Sequence, residues 1–85
     1  MNNSTDIALY GTDWCLKSAA LKNALQAAWA DFSFHNVEQD ENAAAEVRAA
    51  YEGRLLFPVV RIGDEFLKNP SWPELRKVLK ANNLI

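Results

Sequence analysis

The apolar pattern of the chain changes at Gly11, and this change limits the possible folds more than any other feature. Residues 6–10 form a short, mostly apolar run, which is typical of a buried strand. Residues 11–13 then predict a turn. Over residues 15–30 the apolar side chains recur at helical spacing, and no glycine or proline interrupts them. A short strand that leads into a long helix predicts an α/β fold.

The middle of the chain continues this alternation of strands and helices. Residues 32–37 alternate between apolar and polar side chains, as in a half-buried strand. Residues 43–51 predict a second helix, because residues 40–42 supply acidic and capping side chains in front of it. Gly53 is suited to end that helix in a left-handed conformation.

The last third of the chain predicts a β-hairpin and a final helix. Residues 57–62 and 65–68 are predicted strands, and the two residues between them fit a tight turn. Residues 71–74 have the spacing of a capping box, which predicts a helix that runs from there to about residue 82.

The order of elements is therefore strand, helix, strand, helix, strand, strand, helix. This order predicts a mixed four-stranded sheet with helices on its faces, a three-layer α/β/α sandwich. We expect the first two strands to be parallel, because a right-handed helical crossover joins them. A chain of 85 residues is too short to enclose two cores, so we expect one domain over residues 1–85, with residues 1–5 flexible.

Charge and cysteine content exclude several function classes. The net charge of −2 argues against nucleic acid or an anionic membrane as partner, since both favour a basic surface. No apolar run approaches the ~20 residues needed to cross a bilayer, and the polar N-terminus lacks the features of a secretory signal. A single cysteine forms no internal disulfide, so we expect a cytoplasmic protein.

The only cysteine, Cys15, stands at the start of the first predicted helix. The first N–H groups of a helix lack internal partners and carry partial positive charge, so a thiolate there is stabilised and its pKa is lowered. Lys17 adds positive charge, whereas Asp13 acts against ionisation. From helix position alone, a reactive nucleophile and a buried, inert cysteine are about equally supported.

Three short segments together resemble the glutaredoxin family. They are Tyr10-Gly11-Thr12-Asp13-Trp14-Cys15 before the helix, Phe57-Pro58 at the third strand and Asn69-Pro70-Ser71 before the last helix. The likeness extends from residue 7 to about residue 80 and is greatest to the mycoredoxin-like branch. It implies a thioredoxin fold and a thiol–disulfide oxidoreductase, with roles in redox homeostasis and electron transport.

The resemblance also implies a set of site residues. Pro58 matches the family's cis-proline, and the backbone of Phe57 matches the segment that pairs with an extended thiol substrate. A substrate carboxylate would meet the start of the last helix at Ser71. The substrate-binding set that we expect comprises Trp14, Lys17, Phe57, Pro58, Asn69 and Ser71.

The sequence departs from the family at the second cysteine of its Cys-x-x-Cys motif. Here the motif is Cys15-Leu16-Lys17-Ser18, so Ser18 occupies the position of the resolving thiol. A hydroxyl can hydrogen-bond to a thiolate but cannot attack a mixed disulfide. We therefore predict a monothiol mechanism, with Cys15 and Ser18 as the catalytic pair.

The thiol co-substrate is expected to be glutathione or a similar low-molecular-weight thiol. The family's Thr-Val-Pro motif is replaced by Leu56-Phe57-Pro58, and its Gly-Gly-x-Asp segment is absent, so specificity for glutathione itself does not follow from the sequence.

Three functions remain as alternatives. The first is a monomeric monothiol oxidoreductase that acts on oxidised protein thiols without a tightly bound cofactor or a metal site. The second is a [2Fe–2S] cluster carrier, formed as a dimer with glutathione. The third is a redox-silent adaptor with a thioredoxin fold. Cluster-binding relatives in the family that this chain resembles usually have Gly-Phe after the cysteine, so the bulkier, charged Leu16-Lys17 pair favours the first function over the second.

Overall fold

The elements follow one another in the order that the sequence predicts. The computed structural model describes residues 6–85, and the predicted flexibility of residues 1–5 falls outside the described residues. In chain order the elements are β1 (Ile7–Gly11), α1 (Leu16–Ala27), β2 (Phe32–Asn36), α2 (Glu41–Ala50), β3 (Val59–Ile62), β4 (Glu65–Lys68) and α3 (Trp72–Ala81).

The four strands form one mixed sheet in the order β2-β1-β3-β4. β1 is parallel to β2, as predicted, and β3 is antiparallel to both β1 and β4. Because β1 is a central strand with helices over both of its faces, all five of its residues are buried. Its carboxyl end, at Gly11, leads directly to the loop that carries Cys15.

Alternate residues of β1 contribute to two separate cores. Ile7 and Leu9 pack with α1 and α3, in a cluster that includes Leu21, Leu25, Leu75 and Leu79. Ala8 and Tyr10 pack with α2, in a cluster that includes Ala43, Ala44 and Val47. Successive strand residues point to opposite faces, so one apolar strand holds helices on both sides. This confirms the three-layer α/β/α arrangement.

Helix α1 is shorter than the sequence predicts. It ends at Ala27, and Trp29 takes a left-handed conformation with φ of 61° while the Ala30 N–H bonds to the Leu25 carbonyl. This position usually holds glycine, so a tryptophan among alanines gave no stop signal.

Among the described residues no helix is both long and apolar enough to cross a membrane.

Other boundaries shift by one or two residues. Gly11 belongs to β1 rather than to the turn, and β3 begins at Val59 rather than at Phe57. Pro58 lacks an N–H to donate to a neighbouring strand, which fits a strand that starts after it. Helix α2 spans Glu41–Ala50 instead of 43–51, because Asp40 rather than a later residue is its N-cap.

Both predicted helix-end motifs are present. The Asp40 carboxylate accepts hydrogen bonds from the N–H groups of Asn42 and Ala43, at 3.0 and 3.1 Å. Gly53 has φ of +88°, and its N–H bonds to a carbonyl of the last turn of α2 at 2.7 Å. These contacts fix the length of α2 against the sheet.

The cap at Asp40 supplies a test of this account of α2. Replacing Asp40→Ala leaves two helical N–H groups without their acceptor, so we expect the free energy of unfolding to fall by about 1 kcal/mol. Asp40→Asn keeps a side-chain acceptor and should retain most of the stability. Urea denaturation measures both values, and an equal loss in the two variants would contradict the capping role.

Candidate active site

Cys15 lies at the N-cap position of α1, immediately before the first helical residue. Its backbone is extended, with φ of −82° and ψ of 117°, and its side chain makes no capping hydrogen bond. Its carbonyl accepts the first helical hydrogen bond, from the Ala19 N–H at 3.1 Å. The thiol is partly exposed, so a substrate sulfur can reach it.

The pKa of the Cys15 thiol is lowered from its ordinary value. The largest cause is the Ser18 hydroxyl, followed by the Ser18 backbone N–H, because both can donate hydrogen bonds to a thiolate on Cys15. Partial burial opposes these effects, while the N–H and the positive charge of Lys17 add to them. A lower pKa increases the fraction of thiolate at neutral pH, and the thiolate is the nucleophile in disulfide exchange.

Ser18 is the buried partner of this thiol. Its exposed fraction is 1%, and within residues 6–85 its Oγ atom has no hydrogen-bond partner. An unpaired buried hydroxyl is costly, and a thiolate on Cys15 is the acceptor that this hydroxyl lacks. Ionisation of the thiol therefore satisfies a polar group that the fold otherwise leaves unpaired.

Trp14 connects one side of Cys15 to the proline loop. Its indole N–H donates a 2.9 Å hydrogen bond to the Glu38 carboxylate, although 64% of the residue is exposed. The edge of the same ring faces Phe57, with ring centroids 5.6 Å apart and planes at 87°. An edge-to-face contact of this kind is a favourable aromatic geometry.

Lys17, on the other side of Cys15 in the chain, is connected to Pro58 through Asn69. Its ammonium group donates a 2.9 Å hydrogen bond to the side-chain oxygen of Asn69. The backbone N–H of Asn69, whose φ is 47°, donates a 2.8 Å bond to the carbonyl of Pro58. The first turn of α1 is thereby tied to the segment between β4 and α3.

The peptide bond between Phe57 and Pro58 is cis, as the resemblance implies. Phe57 contacts Trp14, and Pro58 is linked through Asn69 to Lys17. Five of the six predicted substrate-binding residues are thus connected to one another. Trp14 contacts Phe57 directly, and Lys17 is connected to Pro58 through Asn69.

Ser71, the sixth predicted residue, is engaged with its own helix. Its hydroxyl accepts a hydrogen bond from the Glu74 N–H at 3.3 Å, and the Glu74 carboxylate accepts one from the Ser71 N–H at 3.4 Å. This capping box matches the sequence prediction and stabilises the start of α3. A role for Ser71 toward a substrate carboxylate stays a prediction.

Sequence reasoning missed two residues that support the site. Glu38 follows β2 without any recognisable motif, and only the folded chain places it beside Trp14. The sequence predicts a turn at Gly11, whereas this residue is the last of β1 and lies against Ser18. Each contact joins two different elements or loops, which local patterns do not reveal.

Comparison with known proteins identifies the family. The glutaredoxin family model matches residues 7–67 of the chain. The chain belongs to the glutaredoxin family. Membership implies thiol oxidoreductase chemistry in general and agrees with the placement of Cys15.

Individual relatives give the same result. The chain is 30% identical to Mycoredoxin 1 from Corynebacterium glutamicum over 60 residues. The aligned segment covers 71% of this chain and 73% of the relative. The structure of the glutaredoxin-like protein NrdH-redoxin from Escherichia coli is 29% identical, with a TM-score of 0.67 over 84% of this chain and 92% of that one. A glutaredoxin from Archaeoglobus fulgidus shares the fold, with 17% identity and a TM-score of 0.73 over 92% and 89% of the two chains.

The Ser18 hydroxyl gives a direct prediction for thiol reactivity. Replacing Ser18→Ala removes the largest stabilising contact of the thiolate, so the pKa of Cys15 should rise and alkylation at pH 7 should slow several-fold. The rate of reaction with iodoacetamide, measured against pH, reports this pKa. Ser33→Ala, at an exposed serine on β2, is the matched control and should leave the profile unchanged. Equal profiles for Ser18→Ala and the unmodified protein would contradict the assignment.

Proposed function

We propose that this protein is a monothiol thiol–disulfide oxidoreductase that exchanges a low-molecular-weight thiol with protein cysteines. The observation that carries the proposal is the pairing of a partly exposed Cys15 with the buried hydroxyl of Ser18, which favours the thiolate. The sequence contains one cysteine, so the same thiol must both receive and pass on the substrate group.

The reaction takes place in two exchange steps. The Cys15 thiolate attacks the small-thiol sulfur of a mixed disulfide on a target protein; the old S–S bond breaks, and the target cysteine leaves as a thiolate. Cys15 then carries the small thiol as a mixed disulfide. A second small thiolate attacks this sulfur, which restores the Cys15 thiolate and releases the symmetric disulfide. The external thiol supplies both electrons for the reduction of the target.

The neighbours of Cys15 have separate roles in this proposal. Ser18 donates its hydroxyl hydrogen bond to the thiolate, both before attack and when Cys15 is the leaving group in the second step. The backbone of Phe57 pairs with an extended substrate as an added strand would. Trp14 and the Lys17–Asn69 pair border the substrate on either side, and the positive charge of Lys17 favours an anionic thiol compound.

The co-substrate in this proposal is glutathione or a similar low-molecular-weight thiol, and the other partners are oxidised protein thiols. Membership of the glutaredoxin family supports this choice. We propose that the protein acts as a monomer in the cytoplasm, where reduced thiols are abundant.

Intact-mass measurement after incubation with oxidised glutathione, cystine or hydroxyethyl disulfide tests the proposal. We expect one stable adduct with the mass of the preferred thiol, reversed by an excess of that thiol in reduced form. Cys15→Ser should form no adduct. Ser18→Cys should replace the adduct by the loss of two hydrogens, because a second thiol three residues on can close an internal disulfide.

Two outcomes would contradict the proposal. A protein that forms no adduct with any of these disulfides would instead fit the redox-silent adaptor. A coloured dimer with visible absorption bands, after reconstitution with iron, sulfide and glutathione, would instead fit the cluster carrier.

A further inference from the structure

Gly11, the last residue of β1, lies directly against Ser18 in the first turn of α1. A Cβ atom built on Gly11 would clash with Ser18 Oγ and would lie 2.7 Å from Ser18 Cβ. Separations this short do not occur in folded proteins, so an alanine here would force a neighbour to move. Both of the clashing atoms belong to Ser18.

The backbone of Gly11 does not itself require a glycine. The residue continues the parallel pairing of β1 with β2, opposite Asn36, and its carbonyl accepts the Val37 N–H at 2.9 Å. Positive φ angles among the described glycines occur at Gly53 and Gly63. Any residue could therefore adopt the conformation of Gly11, and it is the contact with Ser18 that a side chain would disturb.

We propose that Gly11 is a positioning residue for the active-site thiol, because its missing Cβ leaves the space in which the Ser18 hydroxyl reaches Cys15. This inference rests on the proposed function of Cys15 and extends its machinery to a residue with no functional group of its own.

The surroundings determine which atom gives way when this space is filled. The third neighbour of the added Cβ is Cε1 of the Phe34 ring, at 3.4 Å, which is an ordinary contact that a side chain can relax. Rotation of the Ser18 side chain can move Oγ away from the added Cβ, but Ser18 Cβ is fixed to the helix backbone and moves only when the start of α1 shifts. Both movements change the position of the Ser18 hydroxyl relative to Cys15.

The test compares thiol reactivity in four proteins. The rate of iodoacetamide alkylation is measured against pH for the unmodified chain, Gly11→Ala, Ser18→Gly and the double variant. We expect Gly11→Ala to slow alkylation at pH 7 by a factor close to that of Ser18→Gly. The double variant should match Ser18→Gly alone, because both Ser18 atoms that the added Cβ would displace are already gone.

Gly53→Ala is the matched control. Gly53 has φ of +88°, and an added Cβ there would meet nothing within 4 Å, so alanine introduces backbone strain without a new contact. We expect this variant to lose about 1 kcal/mol of stability and to keep the alkylation profile of the unmodified chain.

The outcomes separate the inference from the proposed function. An unchanged profile in Gly11→Ala, or effects of the two single variants that add in the double variant, would overturn the role of Gly11 and leave the function of Cys15 intact. An ordinary thiol pKa in the unmodified chain would contradict the proposed function itself.

The same double variant keeps the inference testable if Gly11→Ala does not fold. Gly11→Ala combined with Ser18→Gly contains neither clashing atom and should restore folded protein, measured by circular dichroism and urea denaturation. Failure to restore the fold would show that Gly11 contacts something other than Ser18, and the inference would then be wrong.

Discussion

The pairing of β1 between β2 and β3 is the constraint on which the rest of the structure depends. The strand is buried along its whole length, and its alternate residues hold α1 and α3 on one face and α2 on the other. Burial of Leu9 with no exposed surface contributes on the order of 2 kcal/mol. The buried Tyr10 hydroxyl is satisfied on the opposite face, since it donates to Glu46 at 2.8 Å and accepts from Arg61 at 3.1 Å. With β1 fixed in this way, Cys15 is placed four residues beyond its end.

The site combines a strand end, a helix start and a proline loop. Gly11 has no side chain, which leaves space for Ser18. Ser18 favours the thiolate form of Cys15, and the residues on either side of that thiol are connected to Phe57 and Pro58. No single element supplies this arrangement. A serine hydroxyl at position 18 can stabilise the thiolate but cannot resolve a mixed disulfide, which is the basis of the monothiol cycle that we propose.

The sequence predicted most of the fold because its signals are local. Alternation in residues 32–37 and the capping box at Ser71 and Glu74 each depend on a few adjacent residues, and the structure confirms both. The predicted end of α1 was wrong, because Trp29 takes a left-handed conformation that glycine usually adopts. In the site, Cys15 and the cis-proline at Pro58 were predicted from position and resemblance. The contacts of Trp14 with Glu38 and of Gly11 with Ser18 span 24 and 7 residues, and no periodic pattern carries such information.

The central claim is that Cys15 is a stabilised thiolate, and ultraviolet titration of the unmodified chain near 240 nm tests it most directly. With one cysteine in the sequence, the thiolate band belongs to Cys15 alone. Burial raises the pKa of Tyr10 and of Tyr51 above 10.0, which separates tyrosine ionisation from the thiol transition. With Cys15→Ser as the blank, we expect a transition below the ordinary cysteine pKa of about 8.5. A transition at or above that value would contradict it.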